Sequence, residues 1–142
     1  MSPDDVTRVH IGSDVQIAGA RQAVREAAVA AGFSLVEQTK IVTAASELAR
    51  NTLVHGGGGH MELAVEDGPR GQGIHLTFTD EGPGIKDVSA ALSDGYTTGN
   101  GLGLGLGGAR RLVQDFTIDS TPGSGTTVTA VSWSRAGQRA RR

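Results

Sequence analysis

The sequence contains no cysteine and few aromatic residues, with one Trp, one Tyr and three Phe among 142 residues. The absence of cysteine excludes disulfides and thiol catalysis, and it leaves a structural zinc site only histidine and carboxylate ligands. No apolar run approaches the roughly 20 residues that a transmembrane helix requires, and the first residues show no signal-peptide pattern. The sequence therefore predicts a cytoplasmic protein without membrane contact.

Basic residues are scarce outside the last eight positions. Four of the 13 lie in residues 135–142, which contain no acid, and the preceding residues carry nine basic side chains against fifteen acidic ones. An acidic body of this kind repels phosphate backbones, so a nucleic-acid partner is not expected. We expect one domain in residues 1–134 and a basic, flexible tail in residues 135–142.

Glycine is abundant, with 22 residues in the chain, and it forms clusters at 56–59, 81–84 and 99–108. Glycine has no side chain, so clusters of it are typical of backbone that approaches a ligand closely. The glycines therefore point to a binding site.

Hydrophobic periodicity predicts the order β, α, α, β, β, lid, α, β, β. The predicted strands are 6–11, 60–67, 73–80, 116–120 and 126–133, and the predicted helices are 15–31, 35–55 and 102–113. The glycine-broken segment 81–100 is a candidate mobile lid with one short helical patch at 87–92. This order predicts an α+β fold, a two-layer α/β sandwich in which one mixed sheet carries its helices on one face.

Glu47 and Asn51 lie four residues apart on the second predicted helix and therefore share a face. An amide oxygen is a suitable neutral ligand for hydrated Mg²⁺, and a glutamate one turn away could activate a hydroxyl or water. A polar pair on the solvent side of the helix would show the same spacing.

Asp80 ends a predicted strand and is followed by Gly82 and Gly84. A carboxylate accepts a hydrogen bond from an exocyclic amine and would thus favour adenine over guanine. An ordinary turn that begins with Asp is the alternative.

The third glycine stretch supplies Gly101, Gly103 and Gly105 at the start of a predicted helix. Backbone amides there can bind phosphate oxygens without a cationic side chain. Close helix packing and a dinucleotide site are alternatives, although no strand precedes the glycines, as a dinucleotide site requires.

Together the motifs E-x-x-x-N (47–51), D-x-G-x-G (80–84), G-x-G-x-G (101–105) and Gly-Thr-Thr (125–127) resemble the GHKL superfamily of ATPases and kinases over about residues 8–133. The resemblance implies the Bergerat ATP-binding fold with Mg-ATP bound. It implies that Asn51 binds Mg²⁺, that Glu47 is the catalytic base and that Asp80 reads the adenine amine. The other residues implied at the nucleotide are Gly82, Gly84, Ile85, Gly101, Leu102, Gly103, Leu104, Gly105 and Thr127.

The small size and the stretches at 46–51, 81–85 and 94–112 resemble the single-domain serine kinases that regulate anti-sigma pathways and the stressosome. That resemblance implies phosphorylation of a serine on a STAS-domain antagonist and, after release, activation of a PP2C-type phosphatase through the phosphatase or its regulatory domain. Anti-sigma kinases carry an arginine shortly before the glycine run, whereas residues 87–109 contain no Lys or Arg. This difference favours the switch-kinase branch and predicts slow turnover unless a partner supplies a cation. A non-catalytic ATP/ADP-dependent binding switch that controls a sigma factor or a phosphatase is the alternative function.

Overall fold

The computed structural model describes residues 6–69, 71–92 and 105–134. Within them lie five strands, β1 (Val6–Ile11), β2 (Gly59–Gly68), β3 (Gly71–Asp80), β4 (Asp115–Ser120) and β5 (Thr126–Trp133). Four helices accompany them, α1 (Asp14–Ala30), α2 (Leu35–Val54), α3 (Val88–Leu92) and α4 (Gly105–Arg111). The predicted order of strands and helices is therefore confirmed, including the short helical patch near 87–92. Residues 93–100 of the expected lid lie outside the described residues.

The strands form one sheet in the order β1-β2-β3-β5-β4, and each neighbouring pair is antiparallel. The α+β sandwich is confirmed, but the expectation of a mixed sheet is wrong for the described strands. Two helices separate β1 from β2, so the chain returns to the end of the sheet where β1 stopped and β2 runs back beside it. β4 runs in the same direction as β3, but β5 lies between them.

The helices cover one face of this sheet. α1 and α2 pack on each other and on the first strands, while α4 contacts both α2 and α3. Along β3 the covered side chains Ile74, Leu76 and Phe78 are buried, whereas the alternate positions are partly exposed. The hydrophobic core therefore lies between the helical layer and one side of the sheet.

Local capping sets where the two long helices begin. The Ser13 side chain accepts a hydrogen bond from the Gln16 amide at the start of α1. At the start of α2, Ser34 and Glu37 form a reciprocal capping box, with the Ser34 amide 2.7 Å from Glu37 Oε1. Such pairs satisfy amides that the first helical turn leaves without partners, and they fix the register of α2.

One row of residues crosses the sheet at the end where the glycines converge. The strand register places five residues side by side, namely Ile11, Gly59, Asp80, Thr126 and Ser120. Directly opposite residues of antiparallel strands share a face, so the side chains of this row point to the helical layer. The end of α2 lies above this row.

Among the described residues, no helix is both long enough and apolar enough to cross a membrane. The predicted tail, residues 135–142, lies outside the described part of the chain.

Candidate nucleotide-binding site

The last two turns of α2 carry Glu47 and Asn51. Both side chains are partly buried, and the spacing of one helical turn places them on the same side of α2, about 6 Å apart along its axis. The backbone carbonyl of Asn51 accepts hydrogen bonds from the amides of His55 and Gly56, which end the helix. α2 therefore presents an acid and an amide just before the chain turns towards the sheet.

Asp80 is the last residue of β3 and is only 7% exposed. Its Oδ1 accepts a hydrogen bond of 2.9 Å from the amide of Gly82. The aspartate therefore begins a turn, which was the alternative interpretation of the D-x-G-x-G motif. The described residues donate no hydrogen bond to its other oxygen, Oδ2. One carboxylate thus shapes the turn and keeps an acceptor for a ligand.

The glycines around Asp80 make room for this carboxylate. A Cβ on Gly56 would collide with the carboxyl group, lying 2.6 Å from Oδ2 and closer to Cγ, and a Cβ on Gly82 would lie 2.7 Å from the Gly56 Cα. Three chain segments therefore meet without side chains between them: the end of α2, the end of β3 and the loop after β3. The sequence placed Gly56 in a cluster typical of a close backbone approach, but it did not indicate that Gly56 packs against Asp80.

The rest of the D-x-G-x-G loop is fixed to the turn between β4 and β5. Gly84 has φ +77° and a Cβ there would meet the carbonyl oxygen of Thr121. The amide of Ile85 donates a hydrogen bond of 2.8 Å to Ser120 Oγ, and the Ile85 side chain packs against the core. Both predicted loop residues therefore hold the backbone in place beside Asp80.

The strand register reassigns the predicted threonine contact. Asp80 lies opposite Thr126, whereas Thr127 lies opposite Thr79 and belongs to the other face of the sheet. The predicted Thr127 therefore does not lie on the face that carries Asp80, whereas Thr126, which is 6% exposed, does. The alternation of β5 could have given this result, since Val128 and Ala130 point to the core and counting back by two reaches Thr126.

The predicted phosphate loop is described only at its last residue. Gly105 has φ +71° and begins α4, which packs on α2. Gly101, Leu102, Gly103 and Leu104 lie outside the described residues.

The donor set near α2 fits a hydrated metal held mainly by phosphates. In the described part of the chain no three His, Asp or Glu side chains come together in a way that could hold a metal ion. Mg²⁺ in nucleotide sites commonly keeps its waters and takes one or two protein ligands in addition to phosphate oxygens. Asn51 offers one such ligand, and Asp80 Oδ2 offers a hydrogen-bond acceptor.

A groove of about 300 Å³ opens next to Glu47, between α1 and α2. Its lining combines cations and hydroxyl groups with the carboxylate: Arg21, Arg25, Thr39, Val42, Thr43, Ser46 and Glu47. Glu47 is thus accessible from the side of the helical layer that faces away from the sheet.

Comparison with known proteins decides the family. A family model described as histidine kinase-, DNA gyrase B- and HSP90-like ATPase matches residues 36–135. The chain belongs to this ATPase family. Residues 36–135 contain α2 from its second residue onward, Asp80 and the glycine stretches, so the superfamily resemblance seen in the sequence is confirmed and ATP is the expected ligand.

Relatives of this ATPase include signalling proteins of bacilli. The chain is 38% identical over 132 residues to the serine/threonine-protein kinase RsbT of Bacillus subtilis, covering 93% of this chain and 99% of RsbT. It is 35% identical over 101 residues to the anti-sigma F factor of Bacillus velezensis, covering 65% of this chain and 66% of that factor. Similarity to RsbT along nearly the whole of both chains agrees with the predicted kinase class.

A solved structure shares the fold of this ATPase. The RsbU and RsbW domains of Rv1364c from Mycobacterium tuberculosis superpose with a TM-score of 0.64 at 21% identity. The match covers 93% of this chain and 33% of that longer protein.

Proposed function

We propose that this ATPase-family chain is a serine/threonine protein kinase that transfers the γ-phosphoryl group of Mg-ATP to a hydroxyl of a partner protein. The observation that carries the proposal is the meeting of Gly56, Asp80 and Gly82 at the end of the helix that bears Glu47 and Asn51. The proposed acceptor for the adenine amine (Asp80), the proposed Mg²⁺ ligand (Asn51) and the proposed catalytic base (Glu47) therefore lie near the end of α2. The full-length similarity to RsbT supports it.

Each residue has a separate role in the proposed transfer. Asp80 accepts from the adenine amine, and Asn51 supplies one oxygen to Mg²⁺, which offsets the negative charge of the phosphates. Glu47 accepts the hydroxyl proton as the acceptor oxygen bonds to the γ-phosphorus, and the bond to the bridging oxygen breaks so that ADP leaves with its electron pair. Gly105 at the start of α4 holds a phosphate oxygen through its amide, together with the predicted amides of residues 101–104.

The groove beside Glu47 is the proposed approach for the acceptor protein. Glu47 lines this groove, and Arg21 and Arg25 give the groove positive charge on its α1 side. A hydroxyl entering there would reach the Glu47 carboxylate, which lies on the same side of α2 as Asn51, the proposed metal ligand. The proposed acceptor is a STAS-domain antagonist protein in the cytoplasm, and the proposed output after release is activation of a PP2C-type phosphatase.

A binding switch without catalysis is the second candidate function. The similarity to anti-sigma F factors favours it, because it connects the chain to proteins named for binding a sigma factor. In this alternative, ATP and ADP would select different partner complexes and Glu47 would be dispensable.

Transfer of labelled phosphate from ATP to a purified STAS-domain partner tests the proposal. We expect Glu47→Gln to lower kcat by about 10²- to 10⁴-fold, because it keeps the shape of the side chain and removes the base. ATP affinity, measured by calorimetry, should stay within about twofold. Glu26→Gln on exposed α1 is the matched control and should transfer at the parent rate.

Two results would contradict the kinase. Transfer by the Glu47→Gln variant at the parent rate would show that Glu47 is not the catalytic base. A parent protein that binds ATP and the partner without transferring phosphate would establish the binding switch instead.

A further inference from the structure

Ser120 lies at the edge of the candidate site and makes three hydrogen bonds through one hydroxyl group. Its Oγ accepts from the Ile85 amide at 2.8 Å and donates to the Gly125 carbonyl oxygen at 3.2 Å. Its third partner is Thr126 Oγ1 at 2.8 Å, where geometry alone permits either hydroxyl to donate. Ser120, Thr126 and Asp80 are neighbours in the row that crosses β4, β5 and β3.

The single proton of Ser120 decides the direction of the bond to Thr126. A serine hydroxyl has one hydrogen and two lone pairs. We assign the Ser120 hydrogen to the Gly125 carbonyl, which cannot donate, and the Ile85 amide occupies one lone pair. With this assignment the remaining lone pair accepts, and Thr126 is the donor in its bond with Ser120.

This direction makes Thr126 an acceptor towards any ligand. Its hydrogen is used by Ser120, and only lone pairs of Oγ1 remain. The neighbouring Asp80 carboxylate is likewise an acceptor when ionised. Two acceptors side by side match an amino group, which has two hydrogens, and repel a carbonyl oxygen.

We propose that Ser120 is a specificity-determining positioning residue: by holding the Thr126 proton, it makes the Asp80–Thr126 pair select a purine with a 6-amino group over one with a 6-oxo group. This inference rests on the proposed adenine site. The residue acts through Thr126 and does not itself touch the base. Loss of the Ser120 hydroxyl releases the Thr126 hydrogen, which can then turn towards the ligand and donate to a 6-oxo oxygen.

Calorimetry with ATP and inosine triphosphate tests the proposal, because the two nucleotides differ only at position 6 and the adjacent ring nitrogen. The parent protein should bind ATP at least about tenfold more tightly than inosine triphosphate. Ser120→Ala should reduce this ratio by about tenfold, mainly through tighter binding of inosine triphosphate. Ser120→Thr keeps a hydroxyl and should retain the parent ratio.

A double-mutant cycle separates this role from simple support of the loop. Thr126→Val, like Ser120→Ala, should lower the ratio of the affinity for ATP to the affinity for inosine triphosphate. The double variant Ser120→Ala/Thr126→Val should lower this ratio no further than Thr126→Val alone. Thermal unfolding establishes that each variant is folded. If Ser120→Ala proves unstable, the comparison of Thr126→Val with Thr126→Ser still decides, since only the serine should keep the parent ratio.

Several outcomes would overturn the inference. One is a Ser120→Ala variant in which both affinities fall together and the ratio stays constant, which would reduce Ser120 to an anchor for the loop at Ile85. Another is a parent protein with equal affinity for both nucleotides. The proposed kinase activity is judged separately, by labelled transfer from ATP, and its failure would leave a measured preference for ATP intact.

Discussion

The Asp80 carboxylate is nearly enclosed, and a buried charge is costly unless polar neighbours compensate for lost water. Gly82 supplies one hydrogen bond, and Gly56 leaves room for the carboxyl group where a side chain would collide with it. Binding of an amino group would thus add a hydrogen bond to a carboxylate that is already held in position. A fixed acceptor loses little side-chain entropy on binding.

Gly56→Ala tests this arrangement at the scale of one methyl group. The new Cβ would collide with the Asp80 side chain as far back as its Cβ, which cannot move aside without its backbone. We expect a loss of about 1–3 kcal/mol in the free energy of unfolding and at least a tenfold loss of ATP affinity, measured by chemical denaturation and calorimetry.

Gly19→Ala is the control for that substitution. Gly19 lies inside α1 with no atom within 4 Å of an added Cβ, so alanine should raise stability slightly and leave ATP affinity unchanged. Equal ATP binding by the Gly56→Ala variant and the parent would contradict the proposed role of the glycine contact.

The residue types of the site were predictable from the sequence, but the contacts among them were not. Glu47, Asn51 and Asp80 could be selected because their spacing and their neighbouring glycines indicate a particular chemistry. Thr126 was missed by one position, since two adjacent threonines look equivalent until the strand register assigns each to a face. Ser120 was not selected, because its proposed role depends on the atoms that its hydroxyl meets on Ile85, Gly125 and Thr126.

At the scale of elements, α2 connects the capping box at one end to the nucleotide site at the other. Ser34 and Glu37 satisfy amides of its first turn, while Glu47 and Asn51 occupy its last turns. The two ends are separated by about 25 Å of helix, given a rise of 1.5 Å per residue. Stability and ligand binding should therefore respond to different substitutions on this helix.

Ser34→Ala is expected to destabilise the protein by about 1 kcal/mol, because the Glu37 amide loses its hydrogen-bond partner. Urea denaturation followed by circular dichroism measures the change. ATP affinity at saturating Mg²⁺ should remain within about twofold of the parent value. A large loss of affinity without a loss of stability would show that the beginning of α2 takes part in the site.

The boundaries of the long helices and strands followed from local patterns, whereas the sheet topology did not. Alternating apolar residues predicted β2, β3 and β5, and apolar residues at helical spacing predicted α1 and α2. The direction of β2 depends on how many times the chain crosses the molecule before it pairs with β1. Two helices give an even number of crossings and hence an antiparallel pair, which is a property of the whole path.

At the scale of the whole molecule, the two faces of the sheet differ in chemistry. The face away from the helices carries acidic side chains, including Glu62 and Glu66 on β2 and Asp115 and Asp119 on β4. Arg8 lies on the same face and forms an ion pair with one of these acids, since its Nη2 is 2.8 Å from Glu62 Oε2. The cations Arg21 and Arg25 instead line the groove on the helical side. An acidic segment of a partner would thus be directed to the helical side.

The ion pair on this face gives the stability of the protein a pH-dependent component. The hydrogen bond from Arg8 holds the pKa of Glu62 below its ordinary value of 4.5. The carboxylate is ionised at pH 7, so the pair contributes there, and the contribution is lost as the pH falls through the lowered pKa.

Glu62→Gln should therefore lower the free energy of unfolding at pH 7 by less than about 1 kcal/mol, since both partners are substantially exposed. The difference from the parent should shrink as the pH falls below 4.5, and chemical denaturation over a pH series measures it. Glu26→Gln serves as the control without a cross-strand ion pair. A difference that stays constant down to acid pH would assign the effect to packing.

Asn51 lies five positions before Gly56, and in the proposed site this interval would set the distance between the two ends of the nucleotide. Asn51 is proposed to meet the metal, and Gly56 lies against the carboxylate proposed to meet the base. One extra residue in this interval would rotate one end relative to the other by about 100°. The number of residues in the last turn of α2 would therefore fix the position of the metal ligand relative to the adenine contact, and both contacts could form only while that number is kept.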